Sequence, residues 1–123
     1  MIEIRIPFKT PTINHLYWHR GNMKIMTKEA RALKQEINII SCSSIPQGFM
    51  PNKGVALKVD VEIHENWFTK DGSVKKKDIS NREKFLIDAI FDALGIDDKF
   101  IFQNTMRKIQ DTSEFAIIKI WEA

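Results

Sequence analysis

Between Val55 and His64 the chain alternates in character. Val55, Leu57, Val59, Val61 and Ile63 are apolar, while Lys58, Asp60, Glu62 and His64 are polar. A period of two over this length specifies a β-strand with one face in a core and the other toward water. Such a strand is not stable alone. Its apolar face must be covered and its edges paired, so the rest of the chain has to supply further strands and something to lie across them.

The remaining segments supply both. Met1 to Phe8 alternates apolar with charged residues and stops before Pro11, which predicts a second half-buried strand. Residues 11–22 mix turn formers, aromatics and bases without a period and read as an ordered loop. Thr27 offers a hydroxyl cap to a helix carrying Ala30, Leu33, Ile37 and Ile40 on one stripe, ended by serines and Pro46. A Pro- and Gly-containing loop leads to the long strand. Trp67 to Lys77 reads as a basic turn or hairpin-like loop around Asp71-Gly72. Asp78 or Ser80 can cap a second helix, whose stripe of Phe85, Ile87, Ala89, Ile90, Ala93 and Leu94 stops at Gly95. Phe100–Gln110 and Glu114–Trp121 read as two closing strands, turning near Asp111-Thr112-Ser113. The order β-α-β-α-β-β predicts an α+β fold, a mixed β-sheet with two helices packed on one face. With 123 residues and no repeat or linker, residues 1–123 are expected to form one domain.

Composition narrows the function classes. With 19 Lys+Arg against 16 Asp+Glu the net charge is only +3, so a polyanionic partner is permitted and the distribution of charge must decide. The single cysteine, Cys42, excludes an intrachain disulfide and a cysteine-based zinc site, and its Ser and Ile flanks offer nothing to activate it. His15, His19 and His64 lack metal-ligand spacing. No stretch has the length and apolarity of a membrane span and no leader pattern opens the chain, so the expected address is the cytoplasm.

The chemistry concentrates between Lys75 and Asp98. Lys75-Lys76-Lys77 precede Asp78, Ser80, Asn81, Arg82, Glu83 and Lys84 at a helix start, and Asp97-Asp98 follow that helix. A carboxylate at a helix N-terminus can hold a divalent cation while the free backbone N–H groups attract phosphate. Lys84, about one turn in, can face the same phosphate, and Asp97 or Asp98 can return a second carboxylate if the next strand lies beside the long one. Hard oxygen ligands of this kind suit magnesium or manganese, and the lysines would hold a nucleic-acid backbone nearby. Taken singly each feature also has a structural reading: a cap, a turn, a solvated loop. Asp88, inside the apolar stripe, reads as a structural hydrogen-bonding residue. Tyr17 and Trp18 suit base stacking or packing, and Trp67, Phe68, Phe100 and Phe102 suit core or subunit contacts.

This segment resembles the signature of the RusA-type Holliday junction resolvases, the crossover junction endodeoxyribonucleases. Their pattern is a basic loop, Asp-x-Asp-Asn, a Lys three residues on, Asp-Ala-Leu, and an Asp-Asp pair. Here it stands as Lys77-Asp78-Ile79-Ser80-Asn81, Lys84, Asp88-Ala89-Ile90 and Ile96-Asp97-Asp98. Pro11-Thr12-Ile13-Asn14 with Tyr17 and Trp18 is similar to the family's Pro-Ser-x-Asn followed by aromatic and basic residues. The resemblance implies a homodimeric, Mg²⁺- or Mn²⁺-dependent nuclease acting on four-way junction DNA in recombination, repair or prophage biology. Carried over by position, Asp78, Lys84 and Asp98 are the catalytic residues, and Asp78 and Asp98, with Ser80 and Asp97 as lesser candidates, hold the metal. Lys75, Lys76, Lys77, Arg82, Asn14, Tyr17 and Arg20 are expected to contact DNA.

The chain departs from the pattern at Ser80, where the family has its second Asp. A hydroxyl is a neutral and weaker ligand. Ser80 can ligate directly or through water, Glu83, Glu62 or Asp60 can substitute, or the protein binds junctions without cutting them. A ribonuclease or a small-molecule-binding α+β domain is the remaining alternative.

Overall fold

The computed structural model describes residues 1–11, 17–45 and 54–123. In chain order the elements are β1 (Ile2–Ile6), β2 (Tyr17–Arg20), β3 (Met23–Met26), α1 (Lys28–Ser44), β4 (Leu57–Glu65), α2 (Ile79–Leu94), β5 (Ile101–Gln110) and β6 (Phe115–Glu122). The main sheet has the order β1-β6-β4-β5, with β4 parallel to β5 and antiparallel to β6, and β6 antiparallel to β1. It is an α+β fold with a mixed sheet, as the alternation and the two amphipathic stripes predict.

The strand that opened the sequence argument is central. Leu57, Val59, Val61 and Ile63 are buried, the last three in register with buried Ile120, Ile118 and Ala116 of β6, which pair in turn with Ile2, Ile4 and Ile6 of β1. Ala30 and Ile37 of α1 and Phe85, Leu86, Ala89 and Ile90 of α2 complete this core. Each fully buried aliphatic side chain contributes about 1.5–3 kcal/mol relative to exposure. Thr27 caps α1, its Oγ1 accepting from the Ala30 N–H at 3.2 Å. Gly95 ends α2 in the left-handed region (φ 68°), and the Gly95 and Ile96 N–H groups close on the Asp92 and Phe91 carbonyls. Joining parallel β4 and β5 requires a crossover, and α2 is that crossover.

One expectation is overturned. The aperiodic stretch after Pro11 contains a hairpin: Tyr17 pairs with Met26 and Arg20 with Met23, around a turn at Gly21-Asn22 where Gly21 has φ 61°. Aromatics and bases follow one another along Tyr17-Trp18-His19-Arg20, which hides any period of two in the sequence, but a Gly-Asn pair between short strands is a hairpin turn signal. The observed order is therefore β-β-β-α-β-α-β-β. The loop after β4 folds back as expected, through a Phe68–Val74 bridge and a Thr69 N–H to Ser73 carbonyl bond of 2.7 Å. Cys42 is exposed in the last turns of α1, Trp67 is buried, and Phe102 is 76% exposed. Among the described residues no helix is long and apolar enough to cross a membrane.

Candidate metal and DNA site

A helix presents residues four apart on one side, so Ser80, Lys84 and Asp88 share a face of α2. Glu83 and Ile87 flank them. That face borders the core, which it meets at buried Ile87, and forms one wall of a cleft of about 340 Å³, lined by Ser80, Glu83, Lys84, Ile87, Asp88, Asp98 and Ile101. Asp98 and Ile101 reach it because Gly95 turns the chain sharply at the end of α2 and a short 3-10 turn, Asp98–Phe100, leads into β5. The two members of the acidic pair have different tasks. Asp97 caps the turn, its Oδ1 accepting from the Lys99 N–H at 2.9 Å. Asp98 lines both this cleft and a neighbouring one, whose walls include Lys34, Asp92 and Asp97.

The cleft carries more negative charge than it neutralises. Burial pushes the Glu83 carboxyl up from its ordinary range; an Asn104 hydrogen bond opposes this, while Asp88 and Asp98 add to it. Asp88 is likewise pushed up by burial, with Asp98 adding and Lys84 and Lys34 opposing. Glu83 is held in place by β5: Asn104 Nδ2 donates to its Oε1 at 2.8 Å. The donors around the cleft are carboxylate and hydroxyl oxygens, the set that a hard divalent cation takes. Among the described residues no three acids, histidines or cysteines converge closely enough to hold an ion by themselves.

Of the residues singled out from sequence, Ser80, Lys84 and Asp98 meet in this cleft. Asp78 is exposed at the N-cap position of α2 and makes no side-chain capping bond; it stands at the helix start, two residues before Ser80 and off the cleft wall. Lys76 is exposed, and Lys75 and Lys77 are half-buried beside it. Tyr17 and Arg20 lie on β2, Arg20 exposed at the hairpin turn. Asn14 and His15 lie outside the described residues.

Three expectations are corrected. Arg82, expected to reach phosphate, is 1% exposed, because its guanidinium pairs with buried Glu65 at 2.6 Å. Asp60 and Glu62 cannot stand in for Ser80: they lie on the open face of the sheet, where Arg107 takes them at 3.6 and 2.8 Å. Asp88 makes no side-chain hydrogen bond to the described residues and faces the cleft instead. Its four-residue spacing from Lys84 was the available signal, masked by the apolar neighbours Ile87, Ala89 and Ile90. Asn104 had no signal, since only the register of β5 brings it to Glu83.

A family model described as endodeoxyribonuclease RusA matches residues 7–120 of the chain. No match is found among curated proteins.

Proposed function

Since the chain belongs to the RusA family of endodeoxyribonucleases, we propose that it resolves four-way DNA junctions by divalent-metal-dependent hydrolysis of phosphodiester bonds. The observation that carries this reading is the cleft itself, where Lys84 stands among Ser80, Glu83, Asp88 and Asp98 at the wall of one helix. Asp98 would hold magnesium or manganese together with the Ser80 hydroxyl and the Glu83 carboxylate of the cleft wall, and Asp78, at the helix start and off that wall, is a ligand by the family pattern alone. When bound, the cation supplies Lewis-acid stabilisation of the charge that builds on the phosphate.

The chain's own groups do the rest. The free N–H groups of the first turn of α2 attract a phosphate oxygen to the helix start. Lys84, exposed on the cleft wall, stabilises the nonbridging oxygens as negative charge grows on them. Lys75 and Lys76, in the loop that leads into α2, hold the DNA backbone. Two copies related by a two-fold axis would present two clefts to a junction and make two symmetry-related cuts.

The test is a synthetic four-way junction offered with Mg²⁺ or Mn²⁺, beside a linear duplex and a chelated control. Paired, metal-dependent nicks confined to the junction are expected, from a protein whose mass in solution is that of a dimer. Equal cutting of the duplex would remove the structure selectivity. Tight junction binding with no cutting at any metal concentration would favour a non-catalytic binding module, a reading that Ser80 motivates by removing one negative charge from the site.

A further inference from the structure

A second group of charges sits at the head of α2, apart from the cleft. Glu65, the last residue of β4, and Arg82, in the first turn of α2, are both 1% exposed. Arg82 grips Glu65 with two prongs, Nη1 to Oε1 at 2.6 Å and Nη2 to Oε2 at 3.3 Å. The same Nη1 donates to the Thr10 carbonyl at 2.6 Å. Lys77 Nζ approaches Glu65 Oε2 at 3.5 Å, and the Lys77 carbonyl accepts from Lys108 Nζ of β5 at 2.6 Å. The Trp67 ring lies under this assembly, 5.6 Å from the Arg82 guanidinium and 4.9 Å from Lys108 Nζ.

The Glu65 carboxylate thus ties the end of β4 to the basic loop and the start of α2, and Arg82 extends the tie to the segment after β1. A buried ion pair of this kind contributes little net stability compared with well-packed apolar residues, because both charges lose their hydration. Its two-pronged geometry does fix relative position. Asp78 and Ser80 lie in the short stretch between Lys77 and Arg82, both of which the carboxylate holds. The same contact keeps Lys77 partly out of solvent.

We infer that Glu65 and Arg82 are positioning residues for the cleavage site: they set the start of α2, with Asp78 and Ser80, and restrain Lys77. The inference rests on the nuclease reading, and it assigns Arg82 a task other than phosphate contact. Neither residue touches the cleft, so their effect must pass through the backbone of residues 77–82.

The double variant Glu65→Leu/Arg82→Met replaces the pair with apolar side chains, an exchange that commonly preserves folding. The expected result is a folded protein whose single-turnover junction cleavage falls on the order of 100-fold, as for a misplacement near 1 Å. Its junction affinity should stay within about threefold and its salt dependence should not flatten, since no phosphate contact is lost. Acylation followed by mass spectrometry should find Lys77 protected relative to Lys76 in the wild type and equally reactive in the variant. Arg82→Lys keeps the charge but not the two-pronged bond, and should lose cleavage without losing affinity. Wild-type cleavage by the double variant overturns the inference. So does a loss of affinity with a flatter salt slope, which would return Arg82 to the phosphate. Failure of both variants to fold also overturns it, the pair being then a requirement of the core. A wild-type protein that binds junctions without cutting them removes the nuclease reading instead. The restraint on Lys77 is then decided by acylation alone, and equal reactivity of Lys76 and Lys77 in the wild type overturns it.

Discussion

Acids on the open face of the sheet and acids in the cleft are treated in opposite ways. On the sheet, Glu62 accepts from Arg107 at 2.8 Å and from His64 at 3.2 Å, and Asp111 accepts from the Ser113 N–H and meets His64 at 3.0 Å. Both carboxyls are held below their usual range, Glu62 chiefly by the Arg107 hydrogen bond and Asp111 chiefly by the Ser113 backbone. In the cleft, Glu83 and Asp88 are pushed upward, chiefly by burial and further by neighbouring acids. The sheet balances its charges internally. In the cleft Lys84 and Lys34 only partly offset Glu83, Asp88 and Asp98, so negative charge gathers there at a cost to stability.

The hardest test of this contrast is to remove an acid from each region. Asp98→Asn should lower junction cleavage by more than about 100-fold, beyond the effect of losing a residue that only orients a metal ligand. Junction affinity should hold or improve, because a negative charge facing phosphates has gone. Asp78→Asn should behave alike. Glu62→Gln, an equal change of charge on the sheet, should leave cleavage near the wild-type rate. Wild-type nicking by Asp98→Asn would end the assignment of the cleft.

A smaller effect is expected at the positions where this chain leaves the family pattern. Ser80→Asp adds a fourth carboxylate to Glu83, Asp88 and Asp98 in the cleft, and Glu83→Gln removes the one that Asn104 holds there. If the site lacks a ligand, Ser80→Asp should need about tenfold less manganese for half-maximal cleavage, as metal-site substitutions commonly shift affinity by 10–100-fold. Glu83→Gln should then change little. Loss of cleavage in both variants would instead show that Glu83 has taken over the role of the missing acid.

Much of this was legible in the sequence, for identifiable reasons. Strict alternation marked β4 and β1, because each buries one face and is charged on the other, and the caps Thr27 and Gly95 bounded the helices. The sequence pattern grouped Asp78, Lys84 and Asp98, with Ser80 a lesser candidate; Lys84, Asp98 and Ser80 line one cleft, whereas Asp78 stands off its wall. What stayed hidden depends on three-dimensional register. Nothing local distinguishes Arg82, turned inward to Glu65 seventeen residues away, from a surface arginine. Asp60 and Glu62 resembled candidate ligands until the sheet showed which face they occupy. The hairpin after residue 16 has no apolar-polar alternation in Tyr17-Trp18-His19-Arg20 to announce it.

The lysine loop should give a graded loss. Changing Lys75, Lys76 and Lys77 together to Ala should weaken junction and duplex binding in parallel. The slope of log affinity against log salt should flatten by about two counterions, from Lys75 and Lys76. Lys77, lying against Glu65 at 3.5 Å, is expected to add little. A drop of three would mean that Lys77 leaves Glu65 for the DNA, and an unchanged slope would mean that the loop only meets solvent.

The smallest effect, on stability against pH, separates the two sets of acids by sign. The folded pKa of Glu62 lies below its unfolded value, so its contribution is present above the unfolded pKa and is lost as pH falls through the folded one. Glu83 has its folded pKa raised, so ionising it costs stability as pH climbs from the unfolded value through the folded one. At neutral pH Glu62→Gln should therefore melt below the wild type and Glu83→Gln above it, each by on the order of 2 °C. Both differences should shrink toward zero as pH is lowered past the carboxylate range. Manganese should raise the wild-type melting point more than that of Glu83→Gln, since the ion relieves the repulsion that the substitution has already removed. Melting curves of the three proteins across this range, with and without manganese, decide it; shifts of the same sign at neutral pH would erase the distinction between the two regions.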